Sequence, residues 1–235
     1  HIRLRLQITK PDKLGEIMQK FREWFNLLQE NLISYEYIIS QYEREIERYG
    51  GSNLIRYAEN YFCYDSRFVI ALLQEISKNA GEIQREKIGI WVMQNLVGCF
   101  YDGIQATNDF FVKYMDNIKY KEVFRKQKKD YLNAIEDNYI KNFSAKVQRI
   151  AEERTAVIQQ YARQIKQVEA TGQLANSIDN ILLTLIHMFC NRYDGNREWE
   201  HKVSFLTRHA IFTKSNMLLH DASNVKKGAQ FNDVK

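Results

Sequence analysis

A single proline in a chain of 235 residues limits what this sequence can fold into. Proline interrupts helices, and Pro11 leaves the rest of the chain without a break of that kind. Downstream, apolar residues recur at three- and four-residue steps, which is the spacing of amphipathic helices. Because 45% of the residues are hydrophobic, the chain can bury a sizeable core. The sequence therefore predicts a globular protein in which long helices dominate.

The start of the chain has a different pattern. Residues 1–8 alternate apolar and polar side chains, which predicts a strand with Arg3 and Arg5 on one face. Residues 32–43 are rich in Ile and Tyr and predict a second strand, with a helix starting at Pro11 between the two. We therefore expect an α+β fold that is predominantly helical, in which a small N-terminal sheet precedes a large helical bundle.

Turn and cap signals divide the helical part. A turn is predicted at residues 50–52 (Gly-Gly-Ser). Helix caps are predicted at Asp65, with the serine after it, and at Thr107. Breaks on either side of another helix are predicted at Gly172 and Gly195. We expect each of these positions to separate or begin a helix.

The domain boundaries follow from periodicity. A long helix over about 147–168 has a narrow apolar stripe that Arg154 interrupts, which predicts an exposed helix that contacts a partner on one side. The segment after Ser215 loses periodicity, so we expect a domain at 1–212 and a flexible tail at 213–235. Because His1 already lies in a strand pattern, we interpret the sequence as part of a longer chain.

The helix before Gly195 carries a polar seam. His187 lies in a strongly apolar run, yet the residues stacked with it at helical spacing are Asn180, Thr184 and Asn191. Imidazole can exchange a proton near neutral pH, so this seam is a candidate for presenting a titratable ring to a ligand. Without further information, a core histidine bonded to a backbone carbonyl is the more common role.

Composition narrows the class of protein. A formal net charge of +5 suits an anionic or carboxylate-bearing partner without requiring nucleic acid. The three cysteines are too few and too widely spaced to predict a disulfide framework or a zinc site, which favours a reducing cytoplasm. No apolar run approaches the roughly twenty residues of a membrane span. We expect a cytoplasmic protein with no membrane span, metal site or cofactor.

Four stretches, in this order, resemble the C-terminal glutamate-elimination domain of class I lantibiotic (lanthipeptide) dehydratases, a domain also found alone in thiopeptide-type bacteriocin biosynthesis. They are HIRLRL at 1–6, YEREIERYGG at 42–51, DSR at 65–67 and IHMFCNR at 186–192. The resemblance extends over about residues 1–212. It implies removal of glutamate from glutamylated Ser or Thr of a precursor peptide, which leaves dehydroalanine or dehydrobutyrine.

The resemblance also implies roles for individual residues. Arg48 would bind substrate, Glu45 would orient it, and His187 would act as general base or acid. Arg3 and Arg5 would bind the carboxylates of the departing glutamate, since a guanidinium binds a carboxylate through two parallel hydrogen bonds.

Asn191 and Arg192 are further substrate-binding candidates, although each has an ordinary alternative at the end of a helix. Likewise, Arg3 and Arg5 could be solvated charges, and Glu45 with Arg48 a surface ion pair.

The resemblance implies partners that this sequence does not contain. They are the precursor peptide and a glutamylation domain or protein that uses glutamyl-tRNA, and a homodimer is possible. Two alternatives stay open: a stand-alone thiopeptide enzyme that joins two dehydroalanines into a pyridine ring, and a non-catalytic helical module that binds a peptide. In an enzyme the candidate side chains should converge on one pocket, whereas in a scaffold they need not.

Overall fold

The computed structural model describes residues 4–6, 8–33, 36–76, 81–115, 118–136 and 138–230, without the side chains of 82, 83 and 221–230, and their regular structure is helical. The α-helices are α1 (Leu14–Glu30), α2 (Ile55–Ile76), α3 (Glu82–Gly98), α4 (Gly103–Tyr114), α5 (Lys121–Lys126), α6 (Lys128–Ala134), α7 (Ala145–Ala170), α8 (Ile178–Tyr193) and α9 (Arg197–Gln230). Short 3-10 turns occur at Pro11–Lys13, Glu47–Tyr49 and Tyr139–Asn142.

The chain divides into two compact units, His1–Arg44 and Glu45–Lys235. In the larger unit, α2 packs along α7, and α8 contacts α2, α3 and α9. The helix α9 also packs against α3, α4, α5 and α6. The buried apolar residues of this unit form one continuous core, because each helix directs one apolar stripe inward.

The predicted N-terminal sheet is wrong, since the described residues contain no strand. In the smaller unit Leu4, Leu6 and Ile38 are exposed, and Tyr37 packs instead against α1, with its ring centroid 4.5 Å from that of Phe25. Alternation shows only that a segment would suit a half-buried sheet face, and a strand is stable only when it has neighbours to pair with.

Both predicted helix caps are also wrong, because Asp65 lies inside α2 and Thr107 inside α4. The Thr107 hydroxyl donates a hydrogen bond to the carbonyl of Gly103, 3.1 Å away, as threonine commonly does within a helix. Asp65 is completely buried and has charged partners. Polar residues that favour caps were therefore mistaken for helix starts where the helix continues through them.

The breaks at glycine are confirmed. Gly172 and Gly195 have φ of 68° and 77°, in the left-handed region that glycine adopts at little cost, and they lie just after α7 and α8. The next helix after Gly172 is capped by Ser177, whose hydroxyl accepts a hydrogen bond from the backbone N–H of Asn180 at 3.2 Å. These turns fix the limits of α8.

The helix α7 packs along α2, which agrees with a narrow stripe that contacts a partner on one side, but the interpretation of Arg154 as an interruption was wrong. Eight of its residues are buried, including Arg154, so the apparent interruption of its apolar stripe is a core position. The helix α9 continues to Gln230 and so runs through most of the segment 213–235. The flexibility of that segment stays a prediction.

The first turn of α8 is fixed by Asp179. Its carboxylate accepts hydrogen bonds from Lys113 Nζ at 2.6 Å, from the Tyr114 hydroxyl at 2.6 Å, and from the Tyr101 hydroxyl. Burial by itself raises the pKa of Asp179, but these hydrogen bonds lower it by more, so its pKa lies below the ordinary value of 3.8. The N-terminal end of the polar seam is therefore attached to α4.

Candidate functional site

The polar seam of α8 is present as the sequence predicts. His187 and Thr184 are partly exposed, and Asn180 and Asn191 are exposed on the same helix face. The opposite face of α8 is buried in the core and consists of Ile181, Leu182, Leu185, Ile186, Phe189 and Cys190. The imidazole is thus held at the surface of a rigid helix and is 43% exposed.

Both ring nitrogens of His187 have partners. Nδ1 lies 3.1 and 2.9 Å from the two carboxylate oxygens of Glu200, and Nε2 lies 2.9 Å from Nδ2 of Asn191. An amide N–H can donate only to an unprotonated ring nitrogen, so we assign the neutral ring with its hydrogen on Nδ1. Glu200 therefore orients the ring, and the lone pair of Nε2 is the position that can take up a proton.

Glu200 was missed by the sequence analysis. It is 13 residues from His187, in the first turn of α9 after the break at Gly195. A usable signal existed, because a short turn between two helices brings the first turn of one beside the last turns of the other. An acidic residue soon after Gly195 was therefore a candidate partner for the imidazole.

The segment Glu45–Gly51 lies at the other end of the seam. Arg48 Nη1 and Glu45 Oε1 are 2.9 Å apart, a pairing that the spacing predicts. The backbone carbonyl of Arg48 accepts a hydrogen bond from Asn176 at 3.1 Å, and Asn176 in turn accepts one from Asn180 at 3.1 Å. Since Asn180 precedes His187 by two helical turns, about 10 Å, the seam connects this segment to the imidazole.

The conformation of this segment requires glycine. Gly50 has φ of 98°, and a Cβ atom there would lie 2.7 Å from Cδ1 of Leu54. Gly51 also has a positive φ, of 118°. Any larger residue would strain the backbone and displace the neighbouring side chains, so the Gly-Gly pair sets the path of the chain beside Arg48.

A buried charge cluster supports the C-terminal end of the seam. Asp65 of α2 lies 2.8 Å from Nε of Arg154 on α7 and 3.1 Å from Nη1 of Arg192 on α8. The Arg192 guanidinium also lies 4.7 Å from the ring centre of Phe62, which in turn packs against Tyr49 with ring centroids 5.1 Å apart. Phe62 therefore links Arg192 to the segment that carries Arg48.

His187, Asn191 and Arg192 lie near the C-terminal end of α8, and the Glu45–Arg48 pair lies beside its N-terminal end. Convergence of these side chains on one pocket stays a prediction. Arg3 lies outside the described residues. Arg5 belongs to the smaller unit, where its guanidinium lies 4.9 Å from the ring centre of Tyr42. A meeting of Arg3 and Arg5 with the seam stays a prediction.

Cys190, next to this site, is not a candidate nucleophile. It is buried, and burial raises the pKa of its thiol well above the ordinary value. Within the described ranges, no group of three or more His, Cys, Asp or Glu residues is placed to hold a metal ion. None of the helices that the structure describes has both the length and the apolar character of a membrane span.

Comparison with known proteins agrees with the resemblance seen in the motifs. The family described as the C-terminal domain of lantibiotic biosynthesis dehydratases matches residues 1–211, and the chain belongs to this family. The chain is 28% identical over 222 residues to the subtilin biosynthesis protein SpaB of Bacillus subtilis, covering 91% of this chain and 21% of SpaB. It is 26% identical over 223 residues to the nisin biosynthesis protein NisB of Lactococcus lactis, covering 90% of this chain and 21% of NisB.

The fold is shared with a solved structure, that of the tRNA-dependent lantibiotic dehydratase MibB from Microbispora sp. 107891. The TM-score is 0.72 at 19% sequence identity, over 87% of this chain and 22% of MibB. The chain thus spans about a fifth of the length of the curated relatives that it matches.

Proposed function

We propose that this chain performs β-elimination of glutamate from glutamylated Ser or Thr side chains of a ribosomal precursor peptide. Three facts support the proposal: membership of the lantibiotic dehydratase C-terminal family, a relative of known structure described as tRNA-dependent, and a histidine oriented by a carboxylate. The pairing of His187 with Glu200 is the observation that carries the proposal.

The chemistry requires a base for the Cα proton of the glutamylated residue. Nε2 of His187 takes this proton after Asn191 gives way to the substrate. The electrons of the Cα–H bond form the Cα=Cβ double bond, the Cβ–O bond breaks, and glutamate leaves with its former ester oxygen as a carboxylate. Glu200 stabilises the imidazolium that forms, because its negative charge lies against Nδ1.

The departing glutamate carries two carboxylates, so its site needs cations. Arg48, beside the N-terminal end of α8, and Arg192, in its last turn, supply guanidiniums, and Glu45 holds Arg48 through the 2.9 Å ion pair. We also assign the guanidiniums of Arg3 and Arg5 to these carboxylates, as the resemblance implies. A planar guanidinium binds a carboxylate through two hydrogen bonds, which stabilises the glutamate anion that forms as the Cβ–O bond breaks.

The substrate must be prepared elsewhere, because nothing along the seam suggests glutamyl transfer. We infer that a glutamylation domain or a separate protein esterifies the peptide from glutamyl-tRNA. The curated relatives are about five times longer than the stretch they share with this chain. That length leaves room for such a domain in those proteins.

The test supplies a synthetic glutamylated peptide to the chain and follows release of glutamate by mass spectrometry. We expect dehydrated peptide with the unaltered chain and a loss of about 100-fold or more in rate for His187→Ala, which removes the general base. His201→Ala is the matched control, since His201 is exposed on α9, and it should retain the full rate. An unchanged rate in His187→Ala would remove His187 from the mechanism.

A further inference from the structure

Asp65 and Arg154 are completely buried charges that the proposed elimination does not use directly. Removing an ion pair from water costs about as much as its attraction returns, and apolar residues of similar volume often stabilise a core equally well. Stability alone therefore gives a poor reason for this pair. A function for it has to be sought in what the pair holds in place.

Arg154 is fixed from several directions. Its Nη2 donates to the Tyr61 hydroxyl at 2.7 Å and its Nη1 to Oδ1 of Asn95 at 3.3 Å, while the ring centres of Tyr61 and Phe68 lie 5.3 and 5.4 Å from the guanidinium. Burial lowers the pKa of Arg154, but Tyr61 and Asp65 raise it by more. Arg154 is therefore a fixed cation, and it defines where the carboxylate of Asp65 can lie.

Asp65 connects buried Arg154 to Arg192, which is partly exposed. Its Oδ1 accepts from Arg154, and its Oδ2 accepts from Nη1 of Arg192 at 3.1 Å. The same Nη1 donates to the carbonyl of Met188 at 3.1 Å. Within the part of the chain that the structure describes, Nε and Nη2 of Arg192 have no hydrogen-bond partner, so the inner side of this guanidinium is held and the outer side is available.

The charges of the cluster do not cancel. Two guanidiniums and one carboxylate leave a formal charge of +1, and the least buried member is Arg192, whose side chain is 18% exposed. A cation that is partly buried and already oriented binds an anion more strongly than a mobile surface arginine, because binding then costs less side-chain conformational entropy.

We propose that Asp65, fixed by Arg154, is the positioning residue that aims Arg192 at a carboxylate of the glutamyl group on the substrate. This inference rests on the proposed elimination reaction, since it assigns Arg192 to bind the glutamyl group that the reaction removes. It predicts that the chain distinguishes a glutamylated peptide from the same peptide without glutamate, and that this preference depends on two residues that never contact the substrate.

The experiment measures binding rather than turnover. Two fluorescent peptides of identical sequence are titrated with the whole chain, one unmodified and one carrying glutamate through an amide, which does not eliminate as the ester does. The double variant Asp65→Asn/Arg154→Met removes both buried charges together, so neither is left unpaired. We expect the unaltered chain to prefer the glutamylated peptide by about tenfold or more, and the double variant to lose most of that preference.

The matched control is Arg67→Met/Glu153→Gln, which removes an exposed ion pair of 3.5 Å between the same two helices and should keep the preference. Arg154→Lys keeps the charge without the planar fork, so it should fold and show a preference reduced a few-fold. A folded double variant with the full preference would overturn the proposal, as would an unaltered chain that binds both peptides equally. Glutamate release by the unaltered chain is scored separately, so loss of this inference is distinguishable from failure of the elimination reaction.

Discussion

Replacing Glu200 by glutamine removes the negative charge beside His187 while keeping the size of the side chain and an oxygen that can accept from Nδ1. Hydrogen bonds to charged groups contribute about 1.5–3 kcal/mol and neutral ones about 0.5–1.5 kcal/mol. Because the imidazole is 43% exposed and solvent screens the charge, the lower part of that difference applies. About 1 kcal/mol of stabilisation of the imidazolium should be lost, which corresponds to a roughly fivefold lower kcat.

The assay is glutamate release from a glutamylated peptide under saturating and limiting substrate. Glu200→Gln should lower kcat and leave KM within about twofold, because the carboxylate stabilises the charge that forms only as the proton is transferred. Glu198→Gln is the matched control: both carboxylates lie in the first turn of α9 and both favour its helix dipole, but only Glu200 contacts His187. Equal rates in the two variants would refute the assigned role of Glu200.

Two further predictions concern the support of the site. Gly50→Ala should lower the free energy of unfolding by about 2 kcal/mol or more, because φ of 98° strains any other residue. Gly98→Ala is the control, since an added Cβ there has no atom within 4 Å. Urea unfolding should show no measurable loss of stability in this control. The second prediction concerns Asp179, whose pKa lies below the ordinary value of 3.8. The stability that its ionised carboxylate contributes is therefore complete above pH 3.8 and is lost as the pH falls through the lower folded-state pKa. The stability difference between the unaltered chain and Asp179→Asn should therefore be larger at neutral pH than near pH 3, and a constant difference would contradict the assigned hydrogen bonds.

The local pattern of the chain was sufficient to predict α8. Glycine breaks at 172 and 195 and a polar seam on an apolar helix are encoded within about 25 residues, so periodicity and turn chemistry reveal them without knowledge of the rest of the fold. Asn191 belongs to the same local seam, whereas the choice of Glu200 as the second partner of His187 required tertiary information. Of the 29 acidic residues, the break at Gly195 points to those in the first turn of α9, and the packing of α8 on α9 selects Glu200 among them.

The wrong predictions for Arg154 and for the N-terminal sheet also concern features that depend on distant parts of the chain. Arg154 looked like an interruption of an apolar stripe because the partner that allows its burial, Asp65, lies on a different helix. Each is a lone charge on an apolar helix face, and two such charges of opposite sign are a usable signal for a buried ion pair. The N-terminal sheet failed for the opposite reason: alternation at 1–8 is a local property, whereas a sheet depends on neighbouring strands that the local sequence does not specify.

The proposed function places the glutamyl group of the substrate on the polar seam of α8. The most direct measurement maps where a glutamylated peptide binds, using the amide-linked peptide with a photoreactive diazirine beside the modified residue and mass spectrometry of the cross-linked fragments. We expect cross-links to residues 180–192 and to residues 45–51, which an excess of unlabelled amide-linked peptide abolishes. Specific cross-links confined to other helices, with none on these two segments, would contradict it.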